Sequence, residues 1–197
     1  MKRFLMWTVL AALLLSAAVP AYADFFPEVD YSERMIAAAE AGDVEAGRLF
    51  QKVRDEKIEV MELPYVSVDF DDMLLLSRLI YAEAGSYWLS EEWKMAVGEV
   101  VLNRVASPEF PNTIREVIVQ PGQYHGSAED YLNFLTPNRA SISAALKLLC
   151  GERVLNDPAV VFQSNAVLGS GVFLELQDDW LGSTYLCYSS HMELYTD

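Results

Sequence analysis

The pattern of the sequence changes at Asp157-Pro158, and this change limits the folds that the chain can adopt. Before that point, apolar residues recur at three- and four-residue steps, which is the spacing of amphipathic helices. After it, short β-branched or aromatic runs at 159–163, 171–176 and 184–188 are separated by Gly, Ser, Asn and Asp, which is typical of strands and turns. Helices followed by strands predict an α+β domain with a small antiparallel sheet.

Capping residues predict where the helices of this domain begin. Asp69, Ser90 and Asn112 are N-cap candidates for three of them, and Thr136-Pro137 begins a fourth. Gly85 is expected to end the first helix in the left-handed conformation.

Residues 31–62 predict a helical hairpin that is broken at Gly42-Asp43. A short extended linker follows and reaches residue 68. We interpret the hairpin as a packing or spacer appendage. The predicted organisation places the hairpin and linker in residues 24–68 and the main domain in residues 69–197.

Residues 1–23 predict a secretory signal peptide. Lys2 and Arg3 form its basic start, residues 4–19 its apolar stretch, and Ala21-Tyr22-Ala23 a small-residue cleavage site, so removal before Asp24 is expected. The alternative is an uncleaved membrane anchor, although the apolar stretch is short for a helix that spans a bilayer. We expect no stable membrane association after cleavage.

The chain is strongly acidic, with 14 basic and 29 acidic residues and a net charge of −15. Loss of Lys2 and Arg3 with the signal would leave 12 basic residues and a charge of −17. Such a charge argues against binding to nucleic acid or to an anionic membrane surface. It also means that an anionic polymer would have to be recognised by a shaped groove.

Cys150 and Cys187 are the two cysteines of the chain. Export would permit a disulfide between them. Cys150 closes an apolar helix and Cys187 lies in a predicted strand, and both are also suitable places for a free thiol. The sequence leaves both alternatives open.

Glu83 is the residue that points most directly to chemistry. It shares a helix face with Met73, Leu76 and Ile80, immediately before the expected helix end at Gly85. Burial and the negative end of the helix would favour its protonated form, so that it can donate a proton near neutral pH. The alternative is an acid at the helix edge whose carboxylate is solvated.

Four ordered blocks of sequence carry a family resemblance. They are LSRLIYAEAG at 76–85, AVGEVVLNR at 96–104, SPEFPNTI at 107–114 and QPGQY at 120–124. Together they resemble the SleB/CwlJ family of cell wall hydrolases, the spore cortex-lytic enzymes that act in germination and their relatives. A looser fifth match is LGSTYLCY at 181–188, so the resemblance covers about residues 69–188 and leaves the hairpin unexplained.

The resemblance implies a lysozyme-like helical lobe beside the small sheet, with peptidoglycan glycan strands bound in the groove between them. It implies that Glu83 is the catalytic acid of a lytic transglycosylase that cleaves after muramic acid. It further implies substrate contacts at Gln123, Tyr124, Asn165 and Tyr188. An enzyme of this family would be secreted and associated with the cell wall.

The chain departs from the family pattern at two places. Residues 85–89 lack the second acid that follows the catalytic block in better-known members, and Ser164-Asn165-Ala166 replaces an expected Asn-Pro pair. Glu92, Asp178 and Asp179 are the possible second carboxylates, and we interpret them as helix-start and turn residues. A transglycosylase needs only one, because the 6-hydroxyl of the sugar attacks within the substrate.

The residues present give less support to other functions. A zinc-dependent N-acetylmuramoyl-L-alanine amidase would need paired histidine ligands, whereas His125 and His191 lie far apart, so no metal or other cofactor is expected. A cysteine peptidase is disfavoured because Cys150 lies at a helix end, where a thiolate is not stabilised. A non-catalytic wall-binding module remains an alternative. Asn103 and Arg104 are interpreted as internal hydrogen-bond partners.

Overall fold

The computed structural model describes residues 30–61, 66–124 and 129–196. The predicted signal peptide, part of the linker and His125 lie outside these residues. Seven α-helices occur in the described part of the chain: α1 (Tyr31–Ala41), α2 (Val44–Met61), α3 (Phe70–Ala84), α4 (Glu91–Ala106), α5 (Ile114–Val119), α6 (Glu129–Phe134) and α7 (Arg139–Leu149). Three strands follow, β1 (Val160–Ser164), β2 (Val172–Asp178) and β3 (Gly182–Tyr188), and then a short 3-10 helix at Met192–Leu194.

Side-chain caps fix the starts of four helices. Asp69 and Ser90 accept N–H groups from the first turns of α3 and α4, as predicted. The expected cap at Asn112 is wrong by one residue, because Thr113 Oγ1 accepts the Glu116 N–H at 3.2 Å and also bonds the Glu116 carboxylate. The last long helix begins after Asn138 rather than at Thr136-Pro137, since Asn138 Oδ1 accepts the Ser141 N–H at 2.9 Å.

The main core lies where α3, α4 and α7 pack together. Their apolar faces are joined by buried residues of α1, α5 and α6. Gly98 of α4 marks a close approach, because a Cβ there would lie 2.5 Å from Leu148 of α7 and 2.8 Å from Ile80 of α3. A larger residue at this position would require these two side chains to shift.

The N-terminal hairpin of α1 and α2 is packed into this core. Met35 and Ala39 of α1 are almost completely buried within it. Gly47 of α2 lies against the ring of Phe70, and the Gln51 side chain accepts the Phe70 N–H at 2.8 Å. The hairpin therefore packs on the start of α3, as in the first of the two alternatives for this appendage.

The three strands form one antiparallel sheet in the order β1-β3-β2. Phe162 of β1 pairs with Cys187 of β3, and Leu174 of β2 pairs with Leu186. A second apolar cluster joins Val160 and Leu186 of the sheet to Ala96 and Val100 of α4. The sheet thus packs on the helices through α4, which confirms the expected α+β architecture of a helical lobe followed by a small antiparallel sheet.

Candidate active site

Glu83 lies in the last turn of α3 and is half-buried. Met73, Leu76 and Ile80 on the same face are completely buried. The side chain therefore lies between the two expected environments, at the edge of the core and in reach of solvent. A carboxylate in this position is accessible to a substrate and partly removed from water.

The predicted left-handed conformation of Gly85 is wrong. Its backbone is right-handed, with φ −71° and ψ −11°. Glycine is required here for a different reason, because a Cβ at this position would lie only 2.2 Å from the Tyr81 carbonyl oxygen. The chain thus leaves α3 in close contact with its last turn.

The segment that follows Glu83 is held by two neighbouring helices. Asn138, the N-cap of α7, donates to the Gly85 carbonyl at 2.9 Å. The buried ammonium group of Lys94 on α4 donates to the carbonyl oxygens of Ser86 at 2.9 Å and Leu89 at 2.7 Å. Burial lowers the pKa of Lys94. These bonds fix residues 85–89, which we call the post-α3 loop.

Tyr124 is buried beside a cationic group and within the electrostatic influence of Glu83. The Arg104 guanidinium carbon lies 5.2 Å from the centre of the Tyr124 ring and 5.1 Å from that of Phe110. Burial raises the pKa of the Tyr124 phenol, the Arg104 charge lowers it, and the Glu83 charge raises it. The structure thus brings together two residues that the sequence assigned to the site, Glu83 and Tyr124.

Arg104 connects this cluster to the sheet. Its Nε donates to the Val161 carbonyl of β1 at 2.6 Å, and neighbouring Asn103 donates to the carbonyls of Asp157 and Val160, each at 2.9 Å. Both residues therefore have the internal hydrogen bonds that the sequence analysis expected. They hold the end of α4 against β1, on the sheet side of Tyr124.

Two polar atoms of the cluster are buried without a hydrogen-bond partner in the described part of the chain, the Tyr124 hydroxyl and Arg104 Nη1. The side-chain oxygens of Gln120, in the turn before Tyr124, and of Gln163, on β1, are also unpaired there. Buried polar groups in folded proteins are ordinarily satisfied. Such unpaired groups near a half-buried carboxylate suit a site that binds water or a polar ligand.

Residues 90–184, from the cap of α4 to β3, match the family model for cell wall hydrolases. This part of the chain is therefore similar to cell wall hydrolases. The match begins just after Glu83 and includes the Arg104 and Tyr124 cluster.

The chain is similar to curated spore cortex-lytic enzymes. The enzyme from Bacillus cereus is 28% identical over 118 residues, which is 59% of this chain and 44% of that protein. The Bacillus subtilis enzyme is 32% identical over 81 residues, which is 41% of this chain and 26% of that protein. The chain thus spans less than half the length of these relatives. The crystal structure of the catalytic domain of Bacillus cereus SleB is 28% identical, with a TM-score of 0.47 over 60% of this chain and 91% of that one.

The other predicted substrate contacts have different environments. Gln123 is half-buried in the turn that precedes Tyr124, and Asn165 is exposed in the turn after β1. Tyr188 is half-buried at the end of β3, and its ring packs edge-on against Phe173 at 5.6 Å. Tyr188 thus has a packing role on the sheet. Its role in substrate binding, like that of Gln123 and Asn165, stays a prediction.

The three possible second carboxylates lie at the helix start and in the turn to which the sequence analysis assigned them. Glu92 is exposed in the first turn of α4, and Asp179 is exposed in the turn between β2 and β3. Asp178 forms that turn, because its Oδ1 accepts the N–H groups of Trp180 and Leu181, each at 2.9 Å. Asp178 Oδ2 also accepts Trp88 Nε1 at 3.1 Å, which joins the post-α3 loop to the sheet.

Sequence reasoning missed two buried charged residues of α4, Lys94 and Glu99. The Glu99 carboxylate accepts the backbone N–H groups of Val154, Leu155 and Asn156 at 2.6 to 3.0 Å. It thereby fixes the segment that leads to β1. The available signal was a charged residue among apolar ones in the middle of a helix, the same signal that identified Glu83.

Cys150 and Cys187 are free thiols, so the structure favours the free-thiol alternative over the disulfide. Cys150 is exposed at the end of α7, whereas Cys187 is completely buried in β3, where its sulfur accepts the Leu168 N–H at 3.5 Å. Cys187 is therefore a buried packing residue of the sheet. Burial raises the pKa of the Cys150 thiol.

Within residues 30–61, 66–124 and 129–196, no group of three or more His, Cys, Asp or Glu side chains lies close enough to hold a metal ion. His191 is exposed and contacts Glu193 at 3.3 Å. Over the same residues, none of the helices combines the length and the apolar character that a membrane span requires.

Proposed function

We propose that this chain cleaves the glycan strand of peptidoglycan after muramic acid as a lytic transglycosylase, with Glu83 as its general acid and base. The observation that carries the proposal is the position of Glu83, half-buried at the end of α3 beside the Tyr124–Arg104 cluster, which lies in the part of the chain similar to cell wall hydrolases. The similarity to spore cortex-lytic enzymes supports peptidoglycan as the substrate.

In this mechanism Glu83 first acts as an acid. Its protonated carboxyl group gives a proton to the glycosidic oxygen as the bond between that oxygen and C1 of muramic acid breaks. The 6-hydroxyl oxygen of the same muramic acid then bonds to C1, and its proton passes to the Glu83 carboxylate. The products are a free 4-hydroxyl end and a 1,6-anhydro end, and no water is consumed.

The environment of the candidate carboxylates supports a mechanism with one acid. Asp178 is engaged by two backbone N–H groups and by Trp88, and Glu92 is exposed at a helix start. Glu83 is the carboxylate whose charge acts on the buried Tyr124. We propose that Gln123, Tyr124 and Asn165 contact the sugar near Glu83.

Action on peptidoglycan requires export. The signal pattern in residues 1–23 supports secretion, and we propose a location outside the cytoplasm in association with the cell wall. The modified glycan of the spore cortex is the first substrate to test, because the curated relatives are spore cortex-lytic enzymes.

The test is digestion of purified peptidoglycan sacculi, with mass spectrometry of the soluble fragments. We expect anhydro-muramic ends from the natural chain and a loss of at least about 100-fold in their rate of release with Glu83→Gln. Glu92→Gln is the matched control and should retain activity, because it removes an exposed acid of the neighbouring helix.

Each other product would identify a different function. Ordinary reducing ends would mean a hydrolase, and freed stem peptides would mean an amidase. Binding to sacculi without release of fragments would mean a wall-binding module. Full activity of Glu83→Gln would contradict the role of Glu83 as the acid.

A further inference from the structure

Three large aromatic side chains near the contact between the post-α3 loop and the sheet are exposed. Tyr87 is 90% exposed, Trp88 48% and Trp180 86%. Tyr87 and Trp88 belong to the post-α3 loop, and their ring centres lie 5.1 Å apart in an edge-on arrangement. Trp180 belongs to the turn between β2 and β3. We call these three residues the aromatic platform.

A single carboxylate links the two halves of the platform. Asp178 Oδ2 accepts the indole N–H of Trp88 at 3.1 Å, and Asp178 Oδ1 accepts the backbone N–H of Trp180 at 2.9 Å. The Trp88 side chain from the helical lobe and the Trp180 backbone from the sheet are therefore both bonded to Asp178, at a point where the two parts of the domain meet.

The backbone below Tyr87 and Trp88 is also fixed. The bonds from Lys94 to Ser86 and Leu89 enclose these two aromatic residues, and the bond from Asn138 holds Gly85. A surface that is held in place before binding loses little conformational entropy when a ligand arrives. Exposed aromatic rings on a fixed loop are thus suited to recognition.

Charge decides which kind of ligand fits. The platform lies beside the acidic residues Glu91, Glu92, Asp178 and Asp179 on a chain of net charge −15. Backbone N–H groups of Leu181 and Trp180 lower the pKa of Asp178, so it stays ionised at neutral pH. An anionic membrane and a second copy of this acidic chain would both be repelled. Uncharged sugar rings are not repelled, and their C–H faces pack on aromatic rings.

The position relative to Glu83 favours the same ligand. Trp88 follows Glu83 by five residues, so their Cα atoms are at most about 18 Å apart. A polymer bound at Glu83 can therefore extend over the platform.

We propose that Tyr87, Trp88 and Trp180 form a carbohydrate-binding surface that holds a section of the glycan strand away from the bond that is cut. The proposal rests on the proposed function for the class of substrate, and it adds a binding site distinct from the Glu83 and Tyr124 cluster. Through this surface, a strongly acidic protein could bind the wall polymer without electrostatic attraction.

The test measures binding separately from cleavage. The full chain carrying Glu83→Gln serves as the parent, and the probe is purified glycan strands from which the stem peptides have been removed, at about 0.15 M salt to screen the lactyl carboxylates that this removal exposes. Trp180→Ala and Tyr87→Ala are introduced into this parent, because both side chains are so exposed that their loss should leave folding unchanged. Phe134→Ala is the matched control, since Phe134 is 86% exposed on α6 and does not belong to the platform.

We expect the Kd for glycan strands to rise about three- to tenfold in Trp180→Ala and in Tyr87→Ala, and to stay unchanged in Phe134→Ala. Asp178→Asn should also raise the Kd, because it weakens the hydrogen bond that positions Trp88. All three aromatic side chains remain present in this variant. Short oligosaccharides that fill only the Glu83 site should bind all of these variants equally.

Several outcomes would overturn the proposal. Unchanged Kd values in Trp180→Ala and Tyr87→Ala would contradict the proposed binding surface. An equal loss of affinity in Phe134→Ala would contradict it as well. A loss of self-association or of vesicle binding in Trp180→Ala, with glycan binding intact, would assign the platform to a second copy of the chain or to a membrane. None of these results depends on the role of Glu83, which is judged from the products of digestion.

Discussion

Lys94 has an unusual environment for a lysine. Its side chain is 1% exposed, and its ammonium group bonds to two backbone carbonyls of the post-α3 loop. Hydrogen bonds to a charged group contribute more than neutral ones, and they must offset the cost of burying the charge. We infer that Lys94 is a positioning residue, which fixes the loop between Glu83 and α4.

Replacement of Lys94 by methionine tests this role. Lys94→Met keeps a long apolar side chain but leaves the carbonyls of Ser86 and Leu89 without their donor, so we expect a loss of about 2 to 3 kcal/mol in the free energy of unfolding. Lys147→Met is the matched control, because Lys147 pairs with Glu91 at the surface and its loss should cost at most about 1 kcal/mol. Urea unfolding of both variants measures the difference. Equal effects would mean that the two buried bonds contribute no more than a surface ion pair.

The comparison of Glu83 with Glu99 shows what a residue pattern can predict. Both are acids within apolar stretches of helix, and spacing alone does not separate them. In the structure, Glu99 is buried and bonded to three backbone N–H groups, whereas Glu83 is half-buried near Tyr124. The partners of Glu99 lie 55 to 57 residues further along the chain, so its role depends on tertiary contacts that no local pattern contains.

At the scale of helices and strands, short stretches of sequence correctly predicted the features that depend on neighbouring residues. The caps at Asp69 and Ser90 and the three strands follow from short-range patterns and were correct. Helix α6 was missed, because six residues are too few to show a helical period. The conformation of Gly85 was wrong, since a close contact with Tyr81, rather than a left-handed turn, requires glycine there.

The packing of the hairpin on α3 leads to a second stability prediction. A Cβ at Gly47 would lie 2.0 Å from the ring of Phe70, which is completely buried and cannot move aside. We expect Gly47→Ala to lower the free energy of unfolding by about 1 to 3 kcal/mol, although alanine is the better helix former. The double variant Gly47→Ala with Phe70→Leu should lose less than the sum of the two single changes, because the smaller side chain relieves the clash. Chemical denaturation of the four proteins gives this coupling, and a stabilising Gly47→Ala would contradict the close packing.

The whole molecule carries far more acidic than basic charge, and several of its basic residues are already paired. Arg48 pairs with Asp71, Arg139 with Glu33 and Glu40, and Lys147 with Glu91. The surface that remains is strongly negative, and the carboxylates of peptidoglycan stem peptides are negative as well. Long-range electrostatics should therefore oppose the approach of the protein to the wall, and recognition must come from contacts made at short range.

The electrostatic repulsion between the protein and the wall predicts how the association rate depends on salt concentration. An increase in ionic strength from about 0.01 M to about 0.15 M shortens the screening length from about 30 Å to about 8 Å, so it should speed the association of the Glu83→Gln protein with intact sacculi. A basic wall-binding protein would show the reverse. Measurement of the association rate in sodium chloride, and again in magnesium chloride at equal ionic strength, separates screening from bridging by a divalent cation. Equal rates in the two salts indicate screening, whereas a rate that falls as salt increases would mean that the contact surface is locally basic despite the net charge of −15.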